Sequence, residues 1–311
     1  MNQLAPISHA ALPSAHLGLH WDHDADLDGV DALVRRCEIH DAIVPRNPRC
    51  AVTAHFTPSE STAILMGRDS SGELRAAATV RVAPNEAPGA AALRAHIDPK
   101  WRGRGIGRQV LAWQDSLAIE WLGDDSGLIG VTIPSGLVDR RRLYAAAGFS
   151  SQGRVHGYTA TLEGSAHLDA AAPDGVEIVP LAEIRDPGSL TVARSRIDFI
   201  STGMLGCEGL SSANPDASFA ALRDGAVIGS VLAHDTRGAH DEPMAMIHDL
   251  RPSGDAASAL LAASFQALHR SGVNSAYIRL TVESLSSWEE TVRDLGAVPS
   301  GAYVVYSIEW P

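Results

Sequence analysis

The sequence predicts an α/β (α+β) protein built from two similar halves. Three features predict it: apolar runs typical of strands alternate with amphipathic runs typical of helices, their order repeats after about 150 residues, and a glycine-rich turn joins a strand to a helix in the first half. The 311 residues, of which 45% are hydrophobic, are enough for two domains. We therefore expect an internal repeat.

The first half contains a full series of strands and helices. Its first helix is expected at 28–40, where Asp26 or Asp28 can cap the free N–H groups of the first turn. The elements that follow are strands at 62–66, 74–82 and 90–97, a helix from 108 to about 121, a strand at 128–133, a helix at 138–147 and a strand at 155–162.

The same order of elements returns in the second half. The predicted elements are a strand at 176–180, a partly helical stretch at 186–203, a hairpin of 218–222 and 227–234, a strand at 244–250, a helix at 256–270, a strand at 276–282, a helix at 287–295 and a strand at 303–310. We predict a flexible tail at 1–14, a first domain at 15–163, a linker at 164–175 and a second domain at 176–311.

Composition restricts the classes of partner and compartment. The net charge of −12 argues against nucleic-acid binding, which needs a basic surface, and it is compatible with a cationic ligand. Three scattered cysteines, Cys37, Cys50 and Cys207, do not form a disulfide framework. Because we also find no signal-peptide pattern and no membrane-spanning apolar run, we expect a cytoplasmic protein that does not bind membranes.

The glycine-rich turn at 102–108 predicts an anion-binding site. It lies between a strand and the start of a helix, where free N–H groups and the helix dipole attract negative charge. Gly103, Gly105 and Gly107 are expected to allow positive φ and close approach of a ligand. With three arginines in the same run, the turn predicts a phosphate or pyrophosphate ligand.

The spacing of the glycines narrows the kind of phosphate site. The turn has neither the G-x-G-x-x-G spacing of a dinucleotide fingerprint nor the Gly-Lys-Ser/Thr of nucleoside triphosphatases. Instead, the pattern I-x-P-x-x-R-G-x-G-I-G at 97–107 resembles the acyl-CoA pyrophosphate loop of the GNAT N-acetyltransferase superfamily. The run L-Y-x-x-x-G-F at 143–149 is similar to the end of a helix in the same family.

This resemblance implies two tandem GNAT folds, as in mycothiol synthase-like proteins, each with a mixed, mostly antiparallel central sheet flanked by helices. It implies acetyl-CoA as cosubstrate and no metal. Backbone groups of Ala95, His96 and Ile97 would hold the pantetheine arm. The pyrophosphate would be bound by Arg102, Gly103, Arg104, Gly105, Ile106, Gly107 and Arg108.

The second half departs from the motif. Aligned with the first loop are residues 253–258, in which Ala256 and Ser258 replace two glycines and Asp255 adds a negative charge. A like charge beside a phosphate costs about 1–2 kcal/mol. Trp288 falls near the position of Tyr144. We predict a degenerate domain that binds no CoA; the alternative is a second site with weaker motif requirements.

The reaction that the resemblance implies is direct attack of an amine on the thioester in a ternary complex. Tyr144 would be the general acid for the leaving thiolate; the alternative is a phenol packed in the core. Where many relatives have a Glu base, this strand has Arg94 and His96. His96 has a suitable pKa range, and a structural histidine is an equal alternative.

Acceptor-binding residues are predicted near the end of the first helix, where relatives bind their acceptors. The candidates are Glu38, His40 and Asp41, which are also further candidates for the general base, and the alternative is a solvated helix face. A cluster of His and Asp at 20–26 has poor spacing for zinc, so we interpret it as a polar loop and predict no metal site.

Together these observations predict an acyl-CoA-dependent N-acyltransferase. Its acceptor would be a small-molecule amine, and the protein would be a monomer or homodimer. The alternative is a non-catalytic CoA-binding or ligand-sensing tandem module.

Overall fold

In the part of the chain that the structure describes, twelve strands form one mixed sheet. The computed structural model describes residues 12–13, 18–43, 55–83, 85, 87–123, 126–168, 171–184, 195–202, 213–238, 240–251 and 254–310. The strands in this part of the chain are β1 (His20–Asp22), β2 (Thr62–Arg68), β3 (Leu74–Val82), β4 (Ala90–Ile97), β5 (Gly127–Pro134), β6 (Ser150–Thr161), β7 (Val176–Pro180), β8 (Phe219–Arg223), β9 (Ala226–Arg237), β10 (Pro243–Arg251), β11 (Ser275–Leu280) and β12 (Val298–Trp310).

Helices flank this sheet. Those in the described ranges are α1 (Leu27–His40), α2 (Ile106–Leu122), α3 (Val138–Ala146), α4 (Arg196–Thr202), α5 (Ala257–Arg270) and α6 (Leu285–Asp294). The sequence prediction of an α/β (α+β) protein with a repeated order of elements is confirmed. No helix among the described residues has both the length and the apolar character needed to cross a bilayer.

The two halves exchange their last strands. The order of strands is β1-β2-β3-β4-β5-β12-β6-β11-β10-β9-β8-β7, so β12 lies between β5 and β6, while β6 lies between β12 and β11. All three of these contacts are antiparallel. Each half therefore supplies the strand that satisfies the backbone of the other. The sheet runs across the predicted boundary at 163/164, and the division into separate domains stays a prediction.

The first helix follows its sequence pattern closely. Asp26 is the N-cap, and its carboxylate accepts a hydrogen bond of 2.8 Å from the backbone N–H of Gly29. The predicted apolar stripe, which includes Val30 and Cys37, is buried against the sheet. Local capping and a 3.6-residue period are enough to determine this helix.

Some elements differ from the prediction. Residues 20–22, predicted as a polar loop, form β1 because Trp21 packs over Gly67, the residue paired with it on β2. Strand β12 begins at Val298, before its apolar part, because it pairs with β6 from that residue on. Of the partly helical stretch predicted at 186–203, α4 occupies 196–202, and 186–194 lies outside the described residues. Most of the predicted tail, as well as Cys50 and Cys207, also lies outside the described residues.

Two pairs of parallel strands separate soon after they meet. β4 pairs with β5 only from Ala90 to Ala92, and β10 pairs with β11 only from Ala245 to Ile247. On one face of the sheet, α4 packs Phe199 and Ile200 against β4, β5 and β12, beside Ala90 and Ala92. The opposite face carries α2. A helix of the second half therefore packs on the part of the first half's sheet where β4 and β5 are still paired.

We expect residues 1–163 alone to remain unfolded. Without β12, the facing edges of β5 and β6 would have no partner for their N–H and C=O groups. Far-UV circular dichroism and amide chemical-shift dispersion would measure this, with co-expression of residues 164–311 as the rescue. A fragment 1–163 that unfolds cooperatively would show that the exchanged strand is dispensable.

Candidate active site

A cleft with a volume of about 160 Å³ lies beside the diverging end of β4. It is bounded by β4, by the glycine-rich loop with α2, and by α3. Its lining residues are Ala95, Ile97, Trp101, Arg102, Gly103, Ile106, Gly107, Val110, Gln114, Asp139, Arg140, Leu143 and Tyr144. The structure thus brings together the predicted phosphate loop, part of the predicted pantetheine strand and the predicted acid.

The loop presents an open row of N–H groups. Gly103 and Gly105 have φ of 77° and 86°, and a Cβ at either position would meet no atom within 4 Å. Within the described chain, none of the N–H groups of 103–107 donates a hydrogen bond to another backbone group. These donors surround the start of α2, where the helix dipole adds positive potential, so the loop suits an anion.

Gly107 has a different role from the one predicted. It lies inside α2 and does not have a positive φ. A Cβ built there would be 3.2 Å from Cδ2 of Leu143 and 3.5 Å from Cδ1 of Ile97. Gly107 therefore allows α2, α3 and β4 to approach closely, and it contributes to the site through packing.

The three arginines of the loop point in different directions. Arg102 forms a two-pronged ion pair with Asp41, with Nη1–Oδ1 and Nη2–Oδ2 distances of 2.6 and 3.0 Å. The guanidinium of Arg104 stacks on Trp101, 4.8 Å from the ring centroid, and Arg108 is exposed. Arg104 and Arg108 are therefore the loop cations that face solvent, whereas Arg102 holds α1 and the loop together.

Asp41 is the centre of this ion-pair cluster. Its side chain is 5% exposed, and it also lies 3.6 Å from Nη2 of Arg140 and 3.1 Å from Nδ1 of His40. Burial opposes ionisation, but the hydrogen bonds from Arg102 and His40 and the charges of both arginines outweigh it and hold the pKa of Asp41 below its ordinary value. Arg140 was not among the residues singled out in the sequence.

The other predicted acceptor residues do not join Asp41 in one pocket. Glu38 is buried and accepts a 2.8 Å hydrogen bond from Arg35. The side chain of His40 is 61% exposed and contacts only the rim of the cluster, through Asp41. Their proposed role in binding the acceptor stays a prediction.

His96 faces away from the cleft. Side chains alternate along a strand, and Ala95 and Ile97 line the cleft, so His96 points to the other face of β4 with Arg94. Its Nε2 accepts a hydrogen bond of 3.2 Å from Nε of Arg94, which leaves the proton of the neutral ring on Nδ1. Burial and the nearby charges of Arg94, Arg140 and Arg102 hold the pKa of His96 well below its ordinary value. These features favour a structural histidine.

Tyr144 lies in the wall of the cleft on α3. It is 5% exposed and packs edge-to-face on Phe149, with ring centroids 5.3 Å apart. Burial raises the pKa of Tyr144 to about 12, with Arg140 acting in the opposite direction and Asp115 reinforcing the shift. The phenol therefore keeps its proton at any pH near neutrality.

Two polar residues of α2 near this site were not predicted. Gln114 is fully buried and Asp115 is half-buried, and burial raises the pKa of Asp115 to about 6. The signal that could have revealed Gln114 is its place in an apolar stripe, between Val110 and Leu117. At 20–26, Asp22 and Asp26 pair with Arg68, and no group of metal-ligating side chains occurs within the described ranges.

The overall arrangement matches known structures, although no family model and no curated protein matches the sequence. A GCN5-related N-acetyltransferase from Sphaerobacter thermophilus has a TM-score of 0.66 at 17% identity, covering 96% of this chain and 97% of that one. A tandem GNAT protein from the clavulanic acid biosynthesis pathway has a TM-score of 0.64 at 15% identity, covering 94% of this chain and 99% of that one. This chain has the tandem GNAT fold.

A GCN5-related N-acetyltransferase from Anabaena variabilis shares the GNAT fold with a TM-score of 0.51 at 14% identity, covering 93% of this chain and 72% of that one. The predicted fold class of two tandem GNAT folds is confirmed. The finer likeness to mycothiol synthases and the roles of single residues stay predictions, because identities this low establish the fold alone.

The second GNAT fold has a loop of different chemistry. Asp255 follows Gly254, and both of its carboxylate oxygens lie 3.2 Å from Nη2 of Arg223. At the start of α5, Ala256 and Ala257 are buried. Trp288, near the position of Tyr144 in the repeat, is fully buried in the second core. Where the first loop has Arg104, this loop has a carboxylate that is bound by Arg223.

Asp41→Asn tests the ion-pair cluster of the first GNAT fold. We expect the variant to unfold more easily by about 1–2 kcal/mol at pH 7, since Arg102 loses a charged acceptor. Because the folded pKa of Asp41 is below that of the unfolded chain, about 3.9, its contribution is complete above that pH and is lost as the pH falls through the folded pKa.

Urea unfolding at a series of pH values between 7 and 3 measures this difference. Asp139→Asn is the matched control, because that carboxylate is exposed and lies 3.7 Å from the exposed Arg142. The difference in free energy of unfolding between wild type and Asp41→Asn should become smaller as the pH falls. A gap that stays constant down to pH 3 would mean that the carboxylate charge is not responsible.

Proposed function

We propose that this protein is an acyl-CoA-dependent N-acyltransferase that transfers acetyl from acetyl-CoA to the amine of a small molecule. One observation carries the proposal: a single cleft has an open row of loop N–H groups at its mouth and the hydroxyl-bearing Tyr144 in its wall. An anion-binding group and a proton donor in one cleft are what a phosphate-bearing thioester requires.

In this proposal the loop binds the pyrophosphate of the cosubstrate. The N–H groups of 103–107 and the start of α2 would face the phosphates, and Arg104 and Arg108 would add charge at the mouth. The acyl arm would follow the edge of β4 that is left unpaired beyond Ala92. The arm can hydrogen-bond there as an added strand would, which positions the thioester by backbone contacts.

The chemistry is a direct acyl transfer. The neutral amine attacks the thioester carbon, the C–N bond forms, the C–S bond breaks, and the proton lost by nitrogen balances the proton gained by sulfur. With its pKa raised to about 12, Tyr144 remains protonated and donates a hydrogen bond to the sulfur as negative charge develops. Tyr144 therefore acts mainly by stabilising the leaving thiolate.

The alternative, a non-catalytic CoA-binding or ligand-sensing module, gives no role to the phenol of Tyr144, a residue that lines the cleft. We propose that His96 is structural and that Asp41 maintains the loop, because its carboxylate is already bound by Arg102. A small amine as acceptor, a cytoplasmic location and a monomeric or dimeric state remain part of the proposal, and the net charge of −12 supports a cationic acceptor.

Acetyl-CoA is expected to bind with one site per chain in isothermal titration calorimetry, and Gly105→Asp should abolish the binding. The new carboxylate would occupy the space where the pyrophosphate approaches the N–H row. Gly254→Asp is the matched control: Gly254 also has a positive φ, 53°, and a Cβ there also meets no atom within 4 Å. Two sites per chain, or equal loss in both variants, would contradict the proposal.

Tyr144→Phe should lower kcat roughly ten- to a thousand-fold and leave the Kd of acetyl-CoA nearly unchanged, because it removes the hydroxyl and keeps the contact with Phe149. Turnover is measured by thiol release with an acceptor found in a screen of amines. Wild-type turnover of the variant between pH 7 and 9 would make Tyr144 a packing residue.

A further inference from the structure

Gln114 is a buried polar residue in the middle of the apolar face of α2. Its side chain is fully buried, and its neighbours on the same face, Val110, Leu117 and Ala118, belong to the core or line the cleft. Gln114 itself lines the cleft. A polar side chain at such a position needs hydrogen-bond partners for each of its groups.

The amide nitrogen of Gln114 has its partners. Nε2 donates to the backbone carbonyls of Thr79 and Arg94, each at 2.8 Å. These two residues are paired on β3 and β4. Both hydrogens of the amide are therefore used, and exchanging its oxygen and nitrogen would place an oxygen against two carbonyl oxygens. The orientation of the amide is determined by its surroundings.

The amide oxygen of Gln114 has no hydrogen-bond partner among the described residues. Oε1 is buried and accepts no hydrogen bond from any described residue. A buried acceptor without a donor costs free energy, so native structures supply a donor from the protein, from water or from a ligand. Since Gln114 borders the cleft proposed for the acyl arm, a ligand can supply the missing donor.

The depth of Gln114 in the cleft indicates which donor this is. It lies seven positions after Gly107, which is about 10 Å along the axis of α2 from the loop. An extended pantetheine arm that leaves a pyrophosphate at the loop carries its two secondary amides at intermediate depth, before the thioester. Each amide has one N–H and needs an acceptor when it leaves water.

We propose that Oε1 of Gln114 accepts a hydrogen bond from an amide N–H of the pantetheine arm. This inference rests on the proposed function. One side chain would then hold both the diverging part of β4, through the carbonyl of Arg94, and the arm beside it. Gln114 would determine how far the arm enters and so how the thioester meets Tyr144.

The test combines a variant with altered ligands. Two analogues of acetyl-CoA are compared with acetyl-CoA, each with one pantetheine amide N–H replaced by an ester oxygen. We expect one analogue to bind wild type about five- to tenfold more weakly, as for loss of one buried hydrogen bond. Gln114→Met should bind acetyl-CoA more weakly by a similar factor and should no longer distinguish that analogue from acetyl-CoA.

Gln266→Met is the matched control. Gln266 lies on α5, the counterpart of α2 in the repeat, and its Nε2 also donates to a backbone carbonyl, that of Leu168, at 2.8 Å. This variant loses a comparable structural bond far from the cleft lining. It should keep the wild-type affinity for acetyl-CoA and the wild-type discrimination against the analogue.

The outcomes separate the possibilities. If Gln114→Met still distinguishes the analogue as strongly as wild type does, the loss of affinity caused by the substitution is independent of the amide N–H of the ligand. Gln114 then only supports β4. If wild type binds both analogues as tightly as acetyl-CoA, the inference is wrong even where the variant fails to fold. If the variant instead raises KM for the acceptor alone, Gln114 contacts the amine. Failure of wild type to bind acetyl-CoA at all would overturn the proposed function itself.

Discussion

The early separation of β4 from β5 is the constraint on which the rest of the first half depends. Only three residue pairs join the strands before they diverge, so the edge of β4 beyond Ala92 has no strand beside it. An unpaired edge in the interior would normally be unfavourable. Here it faces a cleft, and α2 stabilises the free part of β4 through Gln114 and the close approach at Gly107.

The positive groups at the loop itself belong to the backbone, and the charged side chains behind the loop are paired with each other. Directly at the loop the positive groups are backbone N–H groups and the start of α2, which cannot move away from a ligand. Behind it, Arg102 is bound by Asp41 and so contributes stability more than ligand contact. A carboxylate this near the proposed phosphate site is acceptable because Arg102 and Arg140 both lie against it.

The two halves have the same fold and different sites. Strand exchange makes their stability interdependent, because β6 and β12 each lie within the partner half's part of the sheet. In the second half, Ala256 and Ser258 stand at the positions aligned with Gly105 and Gly107, and the fold is formed without those glycines. Helix α4 gives the second half a further role, since Phe199 and Ile200 pack against Ala90 and Ala92 of β4 in the first half.

The sequence by itself determined the features that depend on a few neighbouring residues. The positive φ of Gly103 and Gly105, an aspartate cap at the start of α1 and the repeat of strands and helices were all predictable, because backbone freedom, capping and periodicity act within one or two turns of chain. Tyr144 was singled out by the resemblance of 143–149 to a family motif. The tertiary structure alone decided the contacts between distant segments. Arg102 meets Asp41 from 61 positions away, and β12 enters the sheet of the other half. Which strand edge is filled, and which face of β4 His96 occupies, depends on the packing of the whole sheet, and local sequence does not encode that packing.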